Sequence, residues 1–221
     1  GRSEGCEACE GTGLQYPDSV QDLIGEPFRL VLSAENTSFH GMGREDIDVR
    51  CLGRGRPFVL EVKHPRVRRT DLEEVMKVVN SNGADKIEIS DLRWTNRSEV
   101  SRVKETRAEK SYTIRFSVEE QPEESFIIES ISKLSGVTLE QQTPKRVSHR
   151  RADLIRKRKV VSIDNVVVED SEVQFSVRCE AGTYVKELVH SDEGRTVPSV
   201  AGVLGSPCEV IWLDVEDIHA D

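Results

Sequence analysis

The chain has 221 residues, a formal net charge of -9, and 36% hydrophobic but only 5% aromatic side chains. No stretch approaches the roughly 18 apolar residues of a membrane-spanning helix and no signal-peptide pattern opens the sequence, so we expect a cytoplasmic protein with no membrane partner. The five cysteines are odd in number and irregularly spaced, which argues against a disulfide framework and favours a reducing compartment.

The N-terminal residues are rich in glycine and acids and contain Cys6-x-x-Cys9. This spacing supplies half of the four ligands of a structural zinc site, and the other cysteines stand singly. A loop with two free thiols is therefore the favoured interpretation, with zinc as the alternative. Further on, residues 19–24 are predicted as a helical turn before Pro27, and the apolar residues 28–32 as a strand.

Residues 43–58, with the sequence GREDIDVRCLGRGRPF, combine turn glycines, carboxylates and arginines. Glycine permits tight turns and close backbone approach, and a guanidinium can bind phosphate through two hydrogen bonds. A carboxylate among such cations stays ionised and can act as nucleophile or base. A solvated surface turn has the same composition, and residue chemistry alone favours that ordinary reading.

The next elements follow from hydrophobic periodicity. Residues 58–62 are predicted as a strand that follows the arginine-rich loop. Thr70 and Glu73 form a capping-box pattern before apolar residues at helical spacing, and Gly83 is expected to end that helix. A further strand is predicted at residues 86–92.

The middle of the chain gives one clear strand and one helix. Residues 91–110 are polar and mixed in charge, and their structure is left unassigned. Residues 111–118 alternate between apolar and polar side chains, which predicts a half-buried strand opened by Tyr112. Apolar residues between 126 and 134 recur at helical spacing, and Gly136 is expected to end that helix.

Basic residues are concentrated in two segments of an acidic chain. Residues 1–40 hold two arginines against seven acids, whereas residues 41–70 hold eight Arg and Lys against four acids. Residues 141–159, the basic segment, hold eight Arg and Lys opposed by Asp153 alone. Such a run is often a solvated face, but in a chain of net negative charge contact with RNA phosphates is favoured. The cations assigned to RNA are Arg44, Arg54, Arg56, Lys145, Arg146, Arg150, Arg151, Arg156 and Lys157.

The C-terminal third is predicted to be rich in strands. Residues 160–168 and 173–179 are expected to form a hairpin, residues 182–189 a glycine turn leading into a helix, and residues 210–215 a final buried strand. Strands and helices are interleaved without regular alternation. This order predicts the α+β class with a mostly antiparallel sheet.

Three sequence blocks carry a family resemblance. Gly43-Arg44-Glu45-Asp46 resembles the G-R-x-D signature of pseudouridine synthases, and residues 141–158 and 182–200 are similar to later blocks of that family in the same order. The resemblance spans most of the chain and is to the archaeal and eukaryotic type that modifies uridines 54 and 55 in the T-loop of tRNA. It implies the pseudouridine synthase fold, a central mixed and mainly antiparallel sheet flanked by helices.

The same resemblance implies a domain division and a partner. Residues 26–221 would form the catalytic domain, and residues 1–25 would be a lead-in from an accessory domain that precedes it, where further zinc ligands would lie. The implied partner is the T-arm of tRNA, whose target uridine must be flipped out of the folded RNA. The resemblance implies no cofactor, no metal and no protein partner.

The resemblance also assigns site residues. Asp46 matches the catalytic carboxylate, acting as nucleophile or promoting a glycal-like intermediate, whereas its rival Asp48 does not match the motif. Tyr112 matches the tyrosine that stacks on the target base, and Lys186 the cation that pairs with the catalytic Asp. The implied substrate-binding set is Tyr112, Tyr184, Val185, Lys186 and Leu213.

Each assignment has an ordinary alternative: a core tyrosine, a surface lysine or a buried leucine. Two other functions also compete with a synthase. A non-catalytic RNA-binding module on the same fold would keep the basic segment but would have no reason to retain Asp46, Tyr112 and Lys186 together. A metal-dependent nuclease would need clustered acids, and the loop offers only a few acids among arginines.

Overall fold

The structure, a computed structural model, describes residues 18–220 apart from the side chain of Arg150. Over this range the chain forms two compact units, the first from residues 18–42 and 58–104 and the second from residues 43–57 and 105–220. Residues 43–57, which we call the GRED loop, therefore belong to the second unit although the first unit flanks them in sequence. The predicted division after residue 25 stays a prediction, since most of the lead-in lies outside the described residues.

Helices and strands alternate irregularly along the described range. The helices are α1 (Val20–Val31), α2 (Leu72–Asn82), α3 (Arg97–Glu105), α4 (Glu124–Ser132), α5 (Val185–His190) and α6 (Val200–Leu204), with a 3₁₀ helix at Lys145–Arg150. The strands are β1 (Asn36–Gly41), β2 (Arg50–Cys51), β3 (Phe58–Lys63), β4 (Glu109–Val118), β5 (Thr138–Gln142), β6 (Ile155–Glu169), β7 (Glu172–Cys179), β8 (Thr196–Val197) and β9 (Cys208–His219). None of the described helices is both long and apolar enough to cross a membrane.

The first unit packs α1 and α2 around a small apolar core, and it pairs β1 with β3 in antiparallel register. The predicted strand at residues 28–32 is wrong, because α1 continues through Pro27 to Val31. Ile24, Phe28 and Leu32 recur every four residues and are buried in this core. Packing of that face offsets the backbone hydrogen bond that Pro27 cannot make.

The helix predicted after residue 70 is confirmed as α2, and Gly83 ends it as expected. Its cap is Asp71 and not Thr70, because the Asp71 carboxylate accepts from the backbone N–H groups of Glu73 and Glu74.

The strand predicted at residues 86–92 is wrong. The side chain of Asn80 occupies both backbone groups of Ile89, accepting from its N–H at 2.8 Å and donating to its carbonyl at 3.0 Å. A side-chain amide thus takes the place of a neighbouring strand. The unassigned residues 91–110 contain α3 and the start of β4.

The second unit contains a seven-stranded sheet in the order β2-β9-β4-β7-β6-β5-β8. Its pairs are antiparallel apart from the parallel pair β2–β9, as the α+β prediction required. The predicted strand at residues 111–118 lies in β4, where every second residue is buried. The predicted hairpin is β6–β7, and Phe116 of β4 packs edge-on against Phe175 of β7 with ring centroids 5.9 Å apart.

The GRED loop is held against β9 by backbone and side-chain contacts. The Leu52 N–H donates to the Val215 carbonyl at 2.8 Å, and Arg50 of β2 pairs through two nitrogens with Asp214 of β9. At Gly53 the backbone has φ +58°, and a Cβ there would lie 2.1 Å from the Glu216 carbonyl oxygen. Only glycine fits at this position, because the loop backbone lies directly against the backbone of β9.

Candidate active site

Asp46 lies on the GRED loop between two cations. Its Oδ2 is 2.6 Å from Nη1 of Arg146 and 3.7 Å from Nζ of Lys186. The Asp46 side chain is 30% exposed, so solvent and ligands can reach it. The site therefore holds an accessible carboxylate with two cations close to its Oδ2.

Arg146 is fixed by a second carboxylate, Glu187. Arg146 donates from Nε to Glu187 Oε1 at 2.6 Å and from Nη2 to Oε2 at 3.3 Å. Burial by itself lowers the pKa of the Arg146 guanidinium, but Glu187 and then Asp46 outweigh this effect and raise the pKa well above its usual range. Arg146 is therefore permanently charged and held by two acids.

Lys186 has a nearer partner than Asp46. Its Nζ donates to both carboxylate oxygens of Asp48, at 2.9 and 2.7 Å. This hydrogen bond lowers the pKa of Asp48, against a smaller raising effect of burial. The structure thus brings Lys186 to both aspartates of the GRED loop and makes Arg146 the closer cation of Asp46.

Glu45, one residue before Asp46, ties the loop to the sheet. It forms ion pairs with Lys110 of β4, a buried lysine, and with Arg56 at 3.3 Å. Arg56 also donates to the Gly43 carbonyl at 2.8 Å. Arg56, which the sequence assigned to RNA, is therefore mostly enclosed by the loop itself.

The other arginines of the GRED loop lie in two different environments. Both Arg54 and Arg44 are exposed, but Arg54 pairs with both oxygens of Asp217 on β9, at 2.9 and 2.8 Å. Of the three loop arginines assigned to RNA, Arg44 is the one whose position best suits a phosphate contact.

Tyr112 lies in β4 and is only 5% exposed. Burial, followed by the charge of Glu45, raises the pKa of its phenol far above the usual range, so the hydroxyl stays protonated. Val185 on α5 and Leu213 on β9 are also buried. All three residues therefore lie in the interior of the second unit, and their contact with a target base stays a prediction.

Tyr184 precedes α5 and is held by a buried glutamine. Gln141 accepts from the Tyr184 N–H and donates to its carbonyl, both at 2.9 Å. The Tyr184 hydroxyl accepts a hydrogen bond from Arg151 at 3.2 Å. The sequence did not single out Gln141, and its position at the start of the basic segment gave no signal that it is completely buried.

The remaining cations of the basic segment have mixed surroundings. Arg156 donates to the Thr143 hydroxyl at 2.7 Å, whereas Lys157 is exposed and pairs with Glu140 at 3.6 Å. Lys145 is exposed and pairs with Glu193. The segment thus contributes both inward-facing and solvent-facing cations.

The cysteines of the described range, Cys51, Cys179 and Cys208, are free thiols. Burial raises the pKa of Cys179 and of Cys208 to about 12, which makes both poor nucleophiles at neutral pH. Between residues 18 and 220 no group of three or more acid, histidine or cysteine side chains is arranged to hold a metal ion. Cys6 and Cys9 lie outside the described residues.

Two solved structures share this fold. A chain in "Crystal Structure of a Cbf5-Nop10-Gar1 Complex" matches with a TM-score of 0.55 and 20% identity over 91% of this chain and 45% of that chain. A chain in "Crystal structure of the archaeal box H/ACA sRNP Nop10-Cbf5 complex" matches with a TM-score of 0.50 and 17% identity over 92% and 45%. The predicted fold is confirmed: this is a protein of the α+β pseudouridine synthase fold.

The particular family follows from sequence. The family model described as "Pus10, C-terminal" matches residues 6–219, and the chain belongs to that family. Proteins named tRNA pseudouridine synthase Pus10 are 43% identical in Methanosphaera stadtmanae, 47% in Methanothrix thermoacetophila and 42% in Methanocaldococcus jannaschii, over 99%, 97% and 99% of this chain. The family predicted from the sequence motifs is confirmed. The chain spans about half the length of these relatives, namely 53%, 47% and 48%.

Proposed function

We propose that this chain is the catalytic domain of a tRNA pseudouridine synthase that isomerises uridine 54, uridine 55 or both in the T-loop. Membership of the Pus10 C-terminal family and the names of its relatives, tRNA pseudouridine synthases, support tRNA as the substrate. The observation that carries the assignment of the site is Asp46, an accessible carboxylate 2.6 Å from the Arg146 guanidinium in a chain of that family.

The proposed reaction is an isomerisation that balances without a cofactor. The bond between uracil N1 and ribose C1′ breaks, and Asp46 forms an ester with C1′ as the base leaves with the bonding electron pair. The uracil rotates, its C5 forms a bond to C1′ and Asp46 is expelled. The C5 proton is then lost to solvent and N1 takes up a proton. A route through a glycal-like intermediate requires the same ionised carboxylate.

The cations of the site support this chemistry electrostatically. The Arg146 guanidinium and the Lys186 ammonium lie 2.6 and 3.7 Å from Oδ2 of Asp46 and orient its carboxylate. Both are fixed before substrate arrives, so little reorganisation is needed when charge moves. Neither cation has to exchange a proton for the reaction to balance.

The substrate must reach Asp46 from a folded RNA. Flipping a uridine costs a few kcal/mol, which base stacking and phosphate contacts offset. We assign the stacking to Tyr112 and the lining of the uracil pocket to Tyr184, Val185 and Leu213. Exposed cations of the basic segment would hold the T-arm by its phosphates, reading shape more than sequence.

Replacement of the nucleophile tests the function. We expect Asp46→Asn to abolish tritium release from tRNA labelled at uridine C5, while tRNA affinity stays within a few fold, because no phosphate contact is removed. Asp48→Asn is the matched control and should retain most activity. An active Asp46 variant beside an inactive Asp48 variant would refute the assignment, and a parent protein that binds tRNA without releasing tritium would favour the non-catalytic RNA-binding module.

A further inference from the structure

Glu187 is a buried acid that the proposed reaction leaves unexplained. It lies on α5 with 1% of its surface exposed, and its helical neighbours Val185, Leu188 and Val189 are buried as well. A carboxylate removed from water costs several kcal/mol unless a cation and hydrogen bonds compensate it. A leucine or glutamine would fill the same place without that cost, so the acid calls for a specific reason.

Its charged partner connects it to the nucleophile. Arg146 donates hydrogen bonds from Nε and Nη2 to Glu187, and from Nη1 to Asp46 at 2.6 Å. The guanidinium is planar and rigid, so holding two of its nitrogens fixes the direction of the third. The Glu187 carboxylate therefore decides where Nη1 of Arg146 points.

The placement also separates Arg146 from its neighbours in the basic segment. Lys145, the residue before it, is exposed and pairs with the exposed Glu193, as expected of a cation that remains available to phosphate. Arg146 would have the same freedom without a buried acid to hold its guanidinium. Glu187 thus holds Arg146 at the active site, although Arg146 belongs to the basic segment that we assign to phosphate binding.

We propose that Glu187 is a positioning residue for Asp46 that acts through Arg146. The inference rests on the proposed function, because its importance lies in keeping the nucleophile aligned. Lys186, the preceding residue of α5, provides an independent support at 3.7 Å from Asp46. Helix α5 thus supports the nucleophile twice, once directly and once through a guanidinium.

The first test is Glu187→Gln in the protein carrying all 221 residues. Glutamine keeps the size of the side chain and one acceptor for Arg146 but removes the charge and the second acceptor. We expect kcat for tritium release to fall about tenfold to a hundredfold, as misalignment by a fraction of an ångström predicts, while KM for tRNA stays within about twofold. A rise in KM at unchanged kcat would overturn the proposal.

A double-mutant cycle tests the route through Arg146. If Glu187 acts only through that residue, Glu187→Gln should cost no further kcat in an Arg146→Gln background, and the double variant should match Arg146→Gln within about twofold. If the two substitutions instead lowered kcat by the product of their separate effects, the proposal would be overturned. Arg146→Gln alone leaves the Glu187 carboxylate buried and unpaired, which destabilises the protein. The double variant removes both charges and avoids this cost.

An NMR experiment tests the link from Glu187 through Arg146 to Asp46 without relying on enzyme activity, so it can fail or succeed independently of the proposed function. The Arg146 Nε–H should give a slowly exchanging NMR signal, which Glu187→Gln should abolish and Asp46→Asn should shift. If the parent released no tritium, the proposed function would fail, but these two spectral changes would still establish the link. A signal unaffected by either substitution would refute the link.

Discussion

Arg146 and Arg151 look equivalent at the level of single residues, since both belong to the same basic run. The structure separates them, because Arg146 contacts Glu187 from 41 positions further along the chain whereas Arg151 contacts the Tyr184 hydroxyl. Sequence reasoning could predict the candidate nucleophile Asp46, since it stands in a motif. It could not predict the orienting acid, because Glu187 lies among apolar helix residues and only its burial distinguishes it.

Asp48 provides a residue-scale prediction about pH and stability. Lys186 depresses its pKa below the ordinary 3.8, so the ion pair stabilises the fold above that pH and the contribution is lost as the pH falls below it. Asp48 is largely exposed, which limits the effect to about 1 kcal/mol or less. We expect Asp48→Asn to lower the free energy of unfolding at pH 7, and the difference from the parent to vanish in acid. A difference that persists at a pH of about 2.5, below the ordinary range of an aspartate, would contradict the ion-pair explanation.

Elements with a clear period were predicted well from the sequence. Strand β4, the β6–β7 hairpin and helix α2 follow their hydrophobic patterns. The two wrong strands failed for tertiary reasons that no local pattern contains. In α1 the packing of the apolar face outweighs the helix-breaking effect of Pro27. The side chain of Asn80 in α2 takes the place of a strand partner for Ile89.

The contact between the GRED loop and β9 gives an element-scale prediction. Both Gly53 and Gly55 have positive φ, so alanine at either position is strained by about 1 to 3 kcal/mol. At Gly53 the added Cβ would also collide with the Glu216 backbone, whereas at Gly55 nothing lies within 4 Å. We expect Gly53→Ala to be the more destabilising in urea unfolding and to reduce tritium release far more. Equal losses for the two variants would show that the close approach to β9 is unimportant.

The whole molecule carries a net charge of -9, so any binding to RNA depends on how its cations are distributed. We expect the double replacement Lys145→Gln and Lys157→Gln to reduce the slope of log affinity for tRNA against log salt by roughly one per lost phosphate contact. Lys133→Gln is the matched control, because Lys133 is 69% exposed and pairs with a glutamate, as the 74% exposed Lys157 does. A slope that stays unchanged in the double variant would show that the basic segment does not meet RNA.

The family and fold class could be predicted at this scale because three motifs occur in one order along the chain. The partition into two units could not, since nothing in composition marks residues 43–57 as belonging with residues 105–220. That assignment depends on contacts between the GRED loop and β9 across more than 160 positions, such as Arg50 with Asp214 at a separation of 164.

This long separation has a consequence for synthesis on the ribosome. Translation at about 5 to 20 residues per second delivers the GRED loop many seconds before β9. Until residues 208–219 emerge, Arg50, Leu52 and Arg54 lack the partners that anchor them on that strand. A nascent chain therefore contains its candidate nucleophile early, but the loop that carries Asp46 cannot be anchored on the sheet until β9 has been made, so that catalytic competence would report on the synthesis of residues 208–219.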